Sequence, residues 1–333
     1  MTRKLLVFAV VAALAVGVGC KKKPPSRTDT RDALREAVQK INDDIYKAQG
    51  GQTLLFSTQE LGTLPLFGGG GPGFLRTGGG RSPLFRSLVT TLNSGGPWDT
   101  LVGHWRWETD SFGAGCWNHY ATTPLDSIIF EWVWQDSSQQ SHHADLSVFN
   151  WYWDKVDTVD VLTKVHANLR SDGTSYFRLD LNEVRYGSDP ADVRRIDVSV
   201  TVTPIRFAFL FNYAPPTASA SLRMEITNGE PWYEVGITAR DETAPLDEAV
   251  LKTGSYKDYN EWTVDITLTD PDPDYIQLVD GEIKHKSMLA AYVKSEKRYQ
   301  GSSPYLYVWI EYVDGTKESL EELFAGIGPG GGY

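Results

Sequence analysis

The chain has 333 residues, of which 41% are hydrophobic and 12% aromatic, so it can fill a large folded core and is not a disordered protein. Its 43 acidic and 32 basic residues give a formal net charge of −11, which argues against a nucleic-acid partner because phosphate binding needs a basic surface. With only two cysteines, the fold cannot depend on a disulfide framework.

The N-terminus carries the most specific motif of the chain. Arg3 and Lys4 precede an apolar run from Leu5 to Val16, and small residues then lead directly to Cys20. This run is too short to cross a bilayer, which takes about twenty apolar residues. The segment resembles a bacterial lipoprotein signal, in which Cys20 matches the residue that receives diacylglycerol. An ordinary secretory signal followed by a chance cysteine is the alternative.

The lipoprotein resemblance implies that residues 1–19 are removed as a signal peptide and that residues 20–28 form a lipidated tether. Lys21–Lys23 follow the acylated cysteine directly and would add attraction to an anionic lipid surface. Lys21 at the second mature position resembles the sorting pattern for the outer membrane in bacteria that have two membranes. We therefore expect an exported, membrane-anchored protein of the cell envelope, on the outer face of the plasma membrane where there is only one membrane. Cys116 is then expected to be a lone buried thiol.

An amphipathic helix is predicted over residues 29–50, with Asp29 or Thr30 as its cap and Gly50–Gly51 as its end. Its apolar residues recur at spacings of four, three and four, so we expect this face to pack on the body of the protein. The four residues are Leu34, Val38, Ile41 and Ile45.

Residues 51–96 form a glycine-rich segment, in which nine of the nineteen residues from Gly62 to Gly80 are glycine. The run lacks the Lys-Ser/Thr of a phosphate-binding loop and does not join a strand to a helix. We expect a flexible segment here.

Between residues 97 and 326 apolar and polar residues alternate in many short runs, which is the period of a strand with one buried face. The clearest run is Ile196–Val202, and Trp262–Leu268 repeats its pattern. Other candidate strands lie near 103–109, 127–135, 145–154, 160–170, 175–184, 207–211, 218–227, 232–240 and 306–310, with two weaker ones in 275–296.

One-sided strands without long helices between them indicate an antiparallel sheet. Because a large flat sheet exposes its edges, we expect an all-β fold, a large antiparallel meander curled into a barrel, half-barrel or sandwich. One N-terminal amphipathic helix and a short C-terminal helix from Thr316 to Phe324 complete it, before a frayed tail at 327–333. Turns are predicted at Asp172-Gly173, Asn228-Gly229, Asp280-Gly281 and Asp314-Gly315.

Three neighbouring candidate strands each carry two tryptophans in an i, i+2 pair, which places both indoles on one face of the strand. The six residues are Trp105, Trp107, Trp132, Trp134, Trp151 and Trp153. If the strands are adjacent, the six indoles cover one patch, which Phe130 and Phe149 would extend, while the opposite face meets water. The patch is either part of the core or the lining of an apolar or sugar-binding cavity.

Asp270, Asp272 and Asp274 stand at alternate positions, as oxygen ligands do in calcium loops, so Ca²⁺ is a candidate cofactor. An exposed turn made by the intervening prolines is the simpler interpretation, since the glycine and glutamate of such loops are missing. The spacing of His104, His119 and His142-His143 fits no zinc motif, and surface histidines are expected. No nucleophile motif is present, so catalysis is not favoured.

The sequence favours a non-catalytic lipoprotein whose curved sheet binds an apolar ligand or a partner protein of the envelope. The order of helix and sheet loosely resembles that of the lipoprotein carriers of the LolA/LolB type. A glycan-binding surface lipoprotein that uses exposed tryptophans is the main alternative, and a secreted hydrolase is a weaker one.

Overall fold

The structure is a computed structural model and describes residues 25–52, 98–109, 115–136, 138–226, 231–240 and 249–325, without the side chains of residues 38 and 41–52. The predicted signal peptide, Cys20, Lys21–Lys23 and the tail lie outside the described residues. The predicted glycine-rich segment lies outside them too, except for its first two residues, which end a helix. No helix in the described part of the chain is both long enough and apolar enough to cross a membrane.

The chain divides into two compact units. The tryptophan unit covers residues 49–204, and the helix unit combines residues 1–48 with residues 205–333. The boundary falls between Pro204 and Ile205, inside a stretch that the sequence shows only as one more turn between alternating strands.

From Trp98 onward, the described residues of the tryptophan unit form a short 3-10 helix at Trp98–Thr100 and seven strands. They are β1 (Gly103–Thr109), β2 (Gly115–Ala121), β3 (Ser127–Gln135), β4 (Ser141–Val156), β5 (Val159–Ser171), β6 (Thr174–Tyr186) and β7 (Val193–Val202).

The helix unit takes its name from α1 (Arg27–Gln52), and its other described residues form nine strands and a short helix. They are β8 (Ile205–Ala214), β9 (Thr217–Ile226), β10 (Trp232–Arg240), β11 (Val250–Asp258), β12 (Trp262–Leu268), β13 (Val279–His285), β14 (Met288–Gln300), β15 (Ser303–Tyr312), β16 (Lys317–Ser319) and α2 (Leu320–Leu323).

The predicted all-β class is confirmed: the described residues form a mainly antiparallel meander with an N-terminal helix and a short C-terminal helix. In the helix unit the strand order follows the sequence from β8 to β16. β16 lies at an edge of the sheet, which does not close, as in the half-barrel alternative. In the tryptophan unit the order is β2-β1-β3-β4-β5-β6-β7.

One pairing departs from the expected antiparallel pattern, because β1 and β3 are parallel. β2 pairs with one edge of β1 and runs antiparallel to it. β3 pairs with the other edge of β1 and runs in the same direction as β1. β2 and β11 had no sequence prediction, since their residues do not alternate clearly between apolar and polar, and β16 lies where the sequence predicted the start of the C-terminal helix.

α1 packs on the helix unit through Ala33, Leu34 and Ala37, of which Leu34 belongs to the predicted apolar face. Ala33, Leu34 and Ala37 are at most 1% exposed and belong to one apolar cluster with residues of β8 to β15. Val38, Ile41 and Ile45 fall among the side chains that are not described. The helix begins earlier than predicted because Ser26 is the cap: its hydroxyl accepts from the Asp29 N–H, and the Asp29 carboxylate accepts from the Ser26 N–H.

Two of the predicted turns are confirmed and one is wrong. Asp172 and Gly173 connect β5 to β6 with φ values of 48° and 79°, and Asp314-Gly315 connects β15 to β16. Asn228-Gly229 lies outside the described residues. Gly281 lies inside β13, where a Cβ atom would come within 2.4 Å of the Asp265 carbonyl oxygen of β12. Here glycine allows close strand contact rather than a turn.

The predicted C-terminal helix is shorter than expected. Lys317–Ser319 pairs with β15, and the helix runs only from Leu320 to Leu323. Ser319, not Thr316, caps it, since the Ser319 hydroxyl accepts from the Glu322 N–H while the Glu322 carboxylate accepts from the Ser319 N–H.

A buried carboxylate supports the turn between β11 and β12. Asp258 has no exposed surface, and its Oδ1 accepts from the N–H groups of Asn260 and Trp262 at 2.9 and 3.0 Å. Its Oδ2 accepts from the Tyr256 hydroxyl at 3.4 Å. Burial raises the pKa of Asp258 to about 7, against the opposing effect of these hydrogen bonds.

Candidate ligand-binding face

The three strands that carry the tryptophan pairs are adjacent, as the predicted patch requires. β3 lies between β1 and β4, and its register places Trp105 opposite Phe130 and Trp132 opposite Ala144. We call the surface that carries these indoles the tryptophan face: Trp98, Trp105, Trp107, Trp117, Trp132, Trp134, Trp151 and Trp153.

A bulge in β4 brings Trp151 and Trp153 to this face. The pairing of β4 with β5 is irregular between Phe149 and Trp153, and Asn150 has a φ of 58°. An extra residue in one strand moves the following side chains to the other side of the sheet. Both indoles therefore lie on the side of Leu146 and not on that of Phe149.

The prediction that Phe149 extends the patch is therefore wrong. Its ring lies on the opposite face, stacked on His166 with 5.7 Å between ring centroids. Phe130, in contrast, is fully buried on the tryptophan face beneath Trp117, at 5.1 Å.

Two tryptophans that the sequence analysis did not include complete the face. Trp98 contacts Trp151 and Trp153 edge-on, with ring centroids 6.2 and 5.6 Å apart. Trp117 of β2 contacts Trp107 at 5.4 Å and Trp132 at 6.1 Å. Neither residue belongs to an i, i+2 pair, which was the only pattern that marked the others.

The six predicted indoles differ in burial, and none of them is fully exposed. Trp132 alone is buried, at 3% exposure, and the other five are half-buried. Three of these indole N–H groups have acceptors: Trp105 donates to the Leu101 carbonyl at 2.8 Å, Trp134 to the Ser171 hydroxyl at 3.0 Å and Trp151 to the Asp99 carboxylate at 3.3 Å.

Three other indole N–H groups on this face are buried without any acceptor among the described residues. They belong to Trp98, Trp132 and Trp153. A buried donor without an acceptor costs about 1–3 kcal/mol, so native proteins contain few of them. Three on one face provide donors that a bound molecule carrying oxygen acceptors could satisfy.

A glycine makes room for one indole of the face. The Trp107 ring lies against Gly115 of β2, where a Cβ atom would come within 2.0 Å of Cζ2 of that ring. Any larger residue at position 115 would push the Trp107 indole away from Trp117.

One end of the tryptophan face is held by a histidine between two carboxylates. His142 stacks on Trp134 at 4.6 Å, with Nδ1 at 2.6 Å from Asp172 and Nε2 at 3.3 Å from Asp136. The hydrogen bond to Asp172 raises the pKa of His142, whereas hydrogen bonds from Ser138 and its neighbours lower the pKa of Asp136 to about 2. The arrangement therefore favours a charged His142 and fixes the turn after β3.

The opposite face of these strands meets water, as predicted. Here the Tyr120 hydroxyl donates to the Glu131 carboxylate at 2.6 Å and lies 3.1 Å from Nδ1 of His104. Burial and the Glu131 carboxylate raise the pKa of Tyr120, so its hydroxyl stays protonated at neutral pH. Cys116 is exposed, so the prediction of a buried thiol is wrong: β2 is an edge strand, and Cys116 follows Gly115 on its solvent side.

The three aspartates of the proposed calcium loop lie in the helix unit, between β12 and β13. Asp270 forms an ion pair with Lys252, while Asp272 and Asp274 both bind Lys297. Asp272 Oδ1 also accepts from the Ile276 N–H at 2.9 Å, as in an exposed turn. In the part of the chain that the structure describes, no group of three His, Cys, Asp or Glu side chains is arranged to hold a metal ion. Calcium binding stays a prediction.

A surface pocket of about 590 Å³ lies elsewhere in the tryptophan unit and includes none of the tryptophans. Its lining is mainly polar and charged, with Tyr152, Lys155 and Lys164 on one side and Glu183 and Arg185 on the other. Glu183 is already paired with Arg185 and Arg195 at 2.5 and 2.6 Å, so the pocket offers no free carboxylate at this position.

Comparison with protein-family models, with curated proteins and with solved structures finds no match to this chain.

Proposed function

We propose that this chain is a lipid-anchored protein of the bacterial cell envelope that binds an apolar ligand carrying oxygen acceptors on its tryptophan face. The observation that carries the proposal is the set of three buried indole N–H groups without acceptors, on Trp98, Trp132 and Trp153. Indoles supply a large apolar contact area together with one donor each, which suits a molecule that has both a hydrocarbon part and an oxygen.

The tryptophan face is a better candidate than the core of the helix unit. In the helix unit α1 already fills the apolar side of the sheet, with Ala33, Leu34 and Ala37 almost fully buried. A ligand there would have to displace the helix. On the tryptophan face, by contrast, five of the six predicted indoles keep part of their surface accessible.

The same burial favours an apolar ligand over a glycan. None of the tryptophans in the described residues is exposed to the degree that an open sugar-stacking platform needs. Glycan binding through exposed indoles, the main alternative from sequence, therefore finds less support. A protein of the cell envelope is the second class of partner, and binding experiments distinguish it from an apolar ligand.

Ligand binding can be tested with palmitate, which combines a hydrocarbon chain with a carboxylate acceptor. We expect palmitate to change the tryptophan fluorescence of the Cys20→Ser protein, which is free of acyl chains. Trp98→Phe and Trp153→Phe each remove one donor and keep an aromatic ring, and each should weaken palmitate binding about tenfold or less, as the loss of one hydrogen bond does. The measurement is a fluorescence titration.

Trp262→Phe is the matched control, because the Trp262 N–H is also buried without an acceptor but lies in the core of the helix unit. This variant should bind palmitate as tightly as the parent protein. Equal losses in all three variants, or binding of cellohexaose but not of palmitate, would overturn the proposed ligand class.

Lipid anchoring rests on the lipoprotein-like segment that ends at Cys20. We expect labelled palmitate to be incorporated into the wild-type protein in cells and the Cys20→Ser protein to lose both the label and membrane retention. Cys116→Ser, which removes the other cysteine, should keep the label. Intact residues 1–19 in the mature wild-type protein, or persistent labelling of Cys20→Ser, would show that the assignment is wrong.

A further inference from the structure

The outer side of β14, β15 and β16 carries a row of aromatic rings covered by basic side chains. Because Val308, Ile310 and Tyr312 face the core, alternation sends Tyr305, Tyr307 and Trp309 to the other side. We call this row, with Tyr292 of β14, the aromatic stripe.

Basic side chains lie over the rings of the stripe. Arg298 lies over Tyr307 with 3.4 Å between its Cζ and the ring centroid, Lys317 lies 5.4 Å over Trp309, and Lys294 lies 5.3 Å over Tyr292. Tyr305, at the end of the row, is 42% exposed. Tyrosine and tryptophan combined with lysine and arginine is the composition that proteins present to the headgroup region of a bilayer.

The tether leaves the helix unit on the core side of this sheet, next to the edge strand β16. Arg27, the first residue of α1, lies 5.5 Å over the ring of Tyr312, and Arg31 pairs with Glu318 of β16 at 3.0 Å. Tyr312 is three residues from Trp309 on the same strand, about 10 Å along it but on the opposite face, so the tether would reach the stripe around the edge strand β16. The seven chain steps from Cys20 to Arg27 extend at most about 25 Å. An acylated Cys20 would therefore hold the bilayer within reach of the stripe.

The charge of the stripe is balanced, in contrast to that of the whole protein. Removing residues 1–19 takes away two positive charges and no negative one, which would change the formal net charge from −11 to −13. An anionic bilayer repels most of such a surface. On the stripe each cation has a carboxylate partner: Lys294 pairs with Asp280 at 2.7 Å, Arg298 with Glu296 at 2.6 Å and Lys317 with Glu311 at 3.5 Å. This surface therefore approaches a bilayer with little net repulsion.

From these observations we infer that the aromatic stripe rests on the lipid surface and fixes the orientation of the helix unit on the bilayer. The inference depends on the proposed lipid anchor and adds a second contact to it. Lys21–Lys23 and the acyl chains supply the attraction, and the tyrosine and tryptophan rings enter the headgroup region.

The test uses the full acylated protein on vesicles of three parts phosphatidylethanolamine and one part phosphatidylglycerol. In a Cys116→Ser background, a fluorophore is attached to a single new cysteine, at Tyr307→Cys, at the more exposed Tyr305→Cys, or at Ser255→Cys. Ser255 is an exposed residue of β11 and serves as the control. Quenching by lipids that carry a nitroxide near the headgroup reports contact with the bilayer.

We expect quenching at positions 305 and 307 to exceed that at position 255 at least threefold. Equal quenching at the three positions, with the protein still sedimenting with the vesicles, would overturn the inference and leave the proposed anchor standing. Failure of the acylated wild-type protein to sediment with vesicles would overturn both.

Discussion

We expect Asp258→Asn to gain stability over wild type as the pH rises. The unfolding free energy of the variant minus that of wild type should be about 4 kcal/mol larger at pH 8 than at pH 4. The pKa of Asp258 is about 7 in the folded state and about 3.8 when unfolded. A carboxyl group with a raised folded-state pKa contributes its full stability below pH 3.8, loses it as the pH rises, and has lost it above pH 7. Asparagine is neutral throughout, so it removes this loss.

The asparagine also fits the hydrogen bonds of the site. Its Oδ1 can accept from the N–H groups of Asn260 and Trp262, and its amide can donate to the Tyr256 hydroxyl. His285, stacked on Trp262 at 4.7 Å, has a pKa that burial lowers, so its own effect is a loss of stability as the pH falls below about 6.5. Comparing variant and wild type at each pH cancels this opposite slope.

Denaturant unfolding from pH 4 to pH 8 measures the effect. Asp314→Asn is the control, since hydrogen bonds from Thr316 lower the pKa of Asp314, so this carboxylate contributes stability above its ordinary pKa and loses it only in acid. Its difference from wild type should stay constant between pH 5 and pH 8. If the difference in unfolding free energy between Asp258→Asn and wild type stayed constant from pH 4 to pH 8, the pKa of Asp258 would not be raised in the folded protein.

Trp132→Ala should lower the unfolding free energy by about 3–5 kcal/mol, as the loss of a large buried aromatic side chain does. Trp132 is the one predicted indole that is buried, between Phe130 and Trp134 on β3 and against Trp117. Trp132→Phe keeps most of the apolar area and removes the N–H without an acceptor, so it should cost less than Trp132→Ala.

The neighbouring Val133 provides the matched control, since it is 52% exposed on the other side of the same strand. Val133→Ala should change the stability by about 0.5 kcal/mol or less. Thermal or denaturant unfolding of the three variants measures these differences. If Trp132→Ala destabilised the protein no more than Val133→Ala does, Trp132 would not be part of a packed core.

Local alternation was enough to predict most strands and to place the two tryptophans of each pair on one face of their strand. The run from Ile196 to Val202 became β7 because a period of two leaves one face apolar whatever the strand pairs with. The i, i+2 tryptophans lie on one face of their strands for the same reason. The helical spacing of apolar residues after a cap near Asp29 likewise located α1 to within a few residues.

Only the tertiary structure shows which strands pair and where a strand contains a bulge. The bulge at Asn150 separates Phe149 from Trp151 and Trp153, although the three residues alternate perfectly in sequence, because one extra residue inverts every later side chain. The position of Asp280-Gly281 inside β13 depends on the approach of β12, which no local signal records.

The sequence by itself determined an acidic, mainly antiparallel β-protein with a lipoprotein-like N-terminus and paired tryptophans on neighbouring strands. Only the tertiary structure brought Trp98 and Trp117 to those pairs, left three indole N–H groups without acceptors and placed the start of α1 beside Tyr312. These contacts join residues far apart in the chain, and they depend on which strand edges meet and where a bulge reverses the alternation, whereas a strand's period is set by its own backbone.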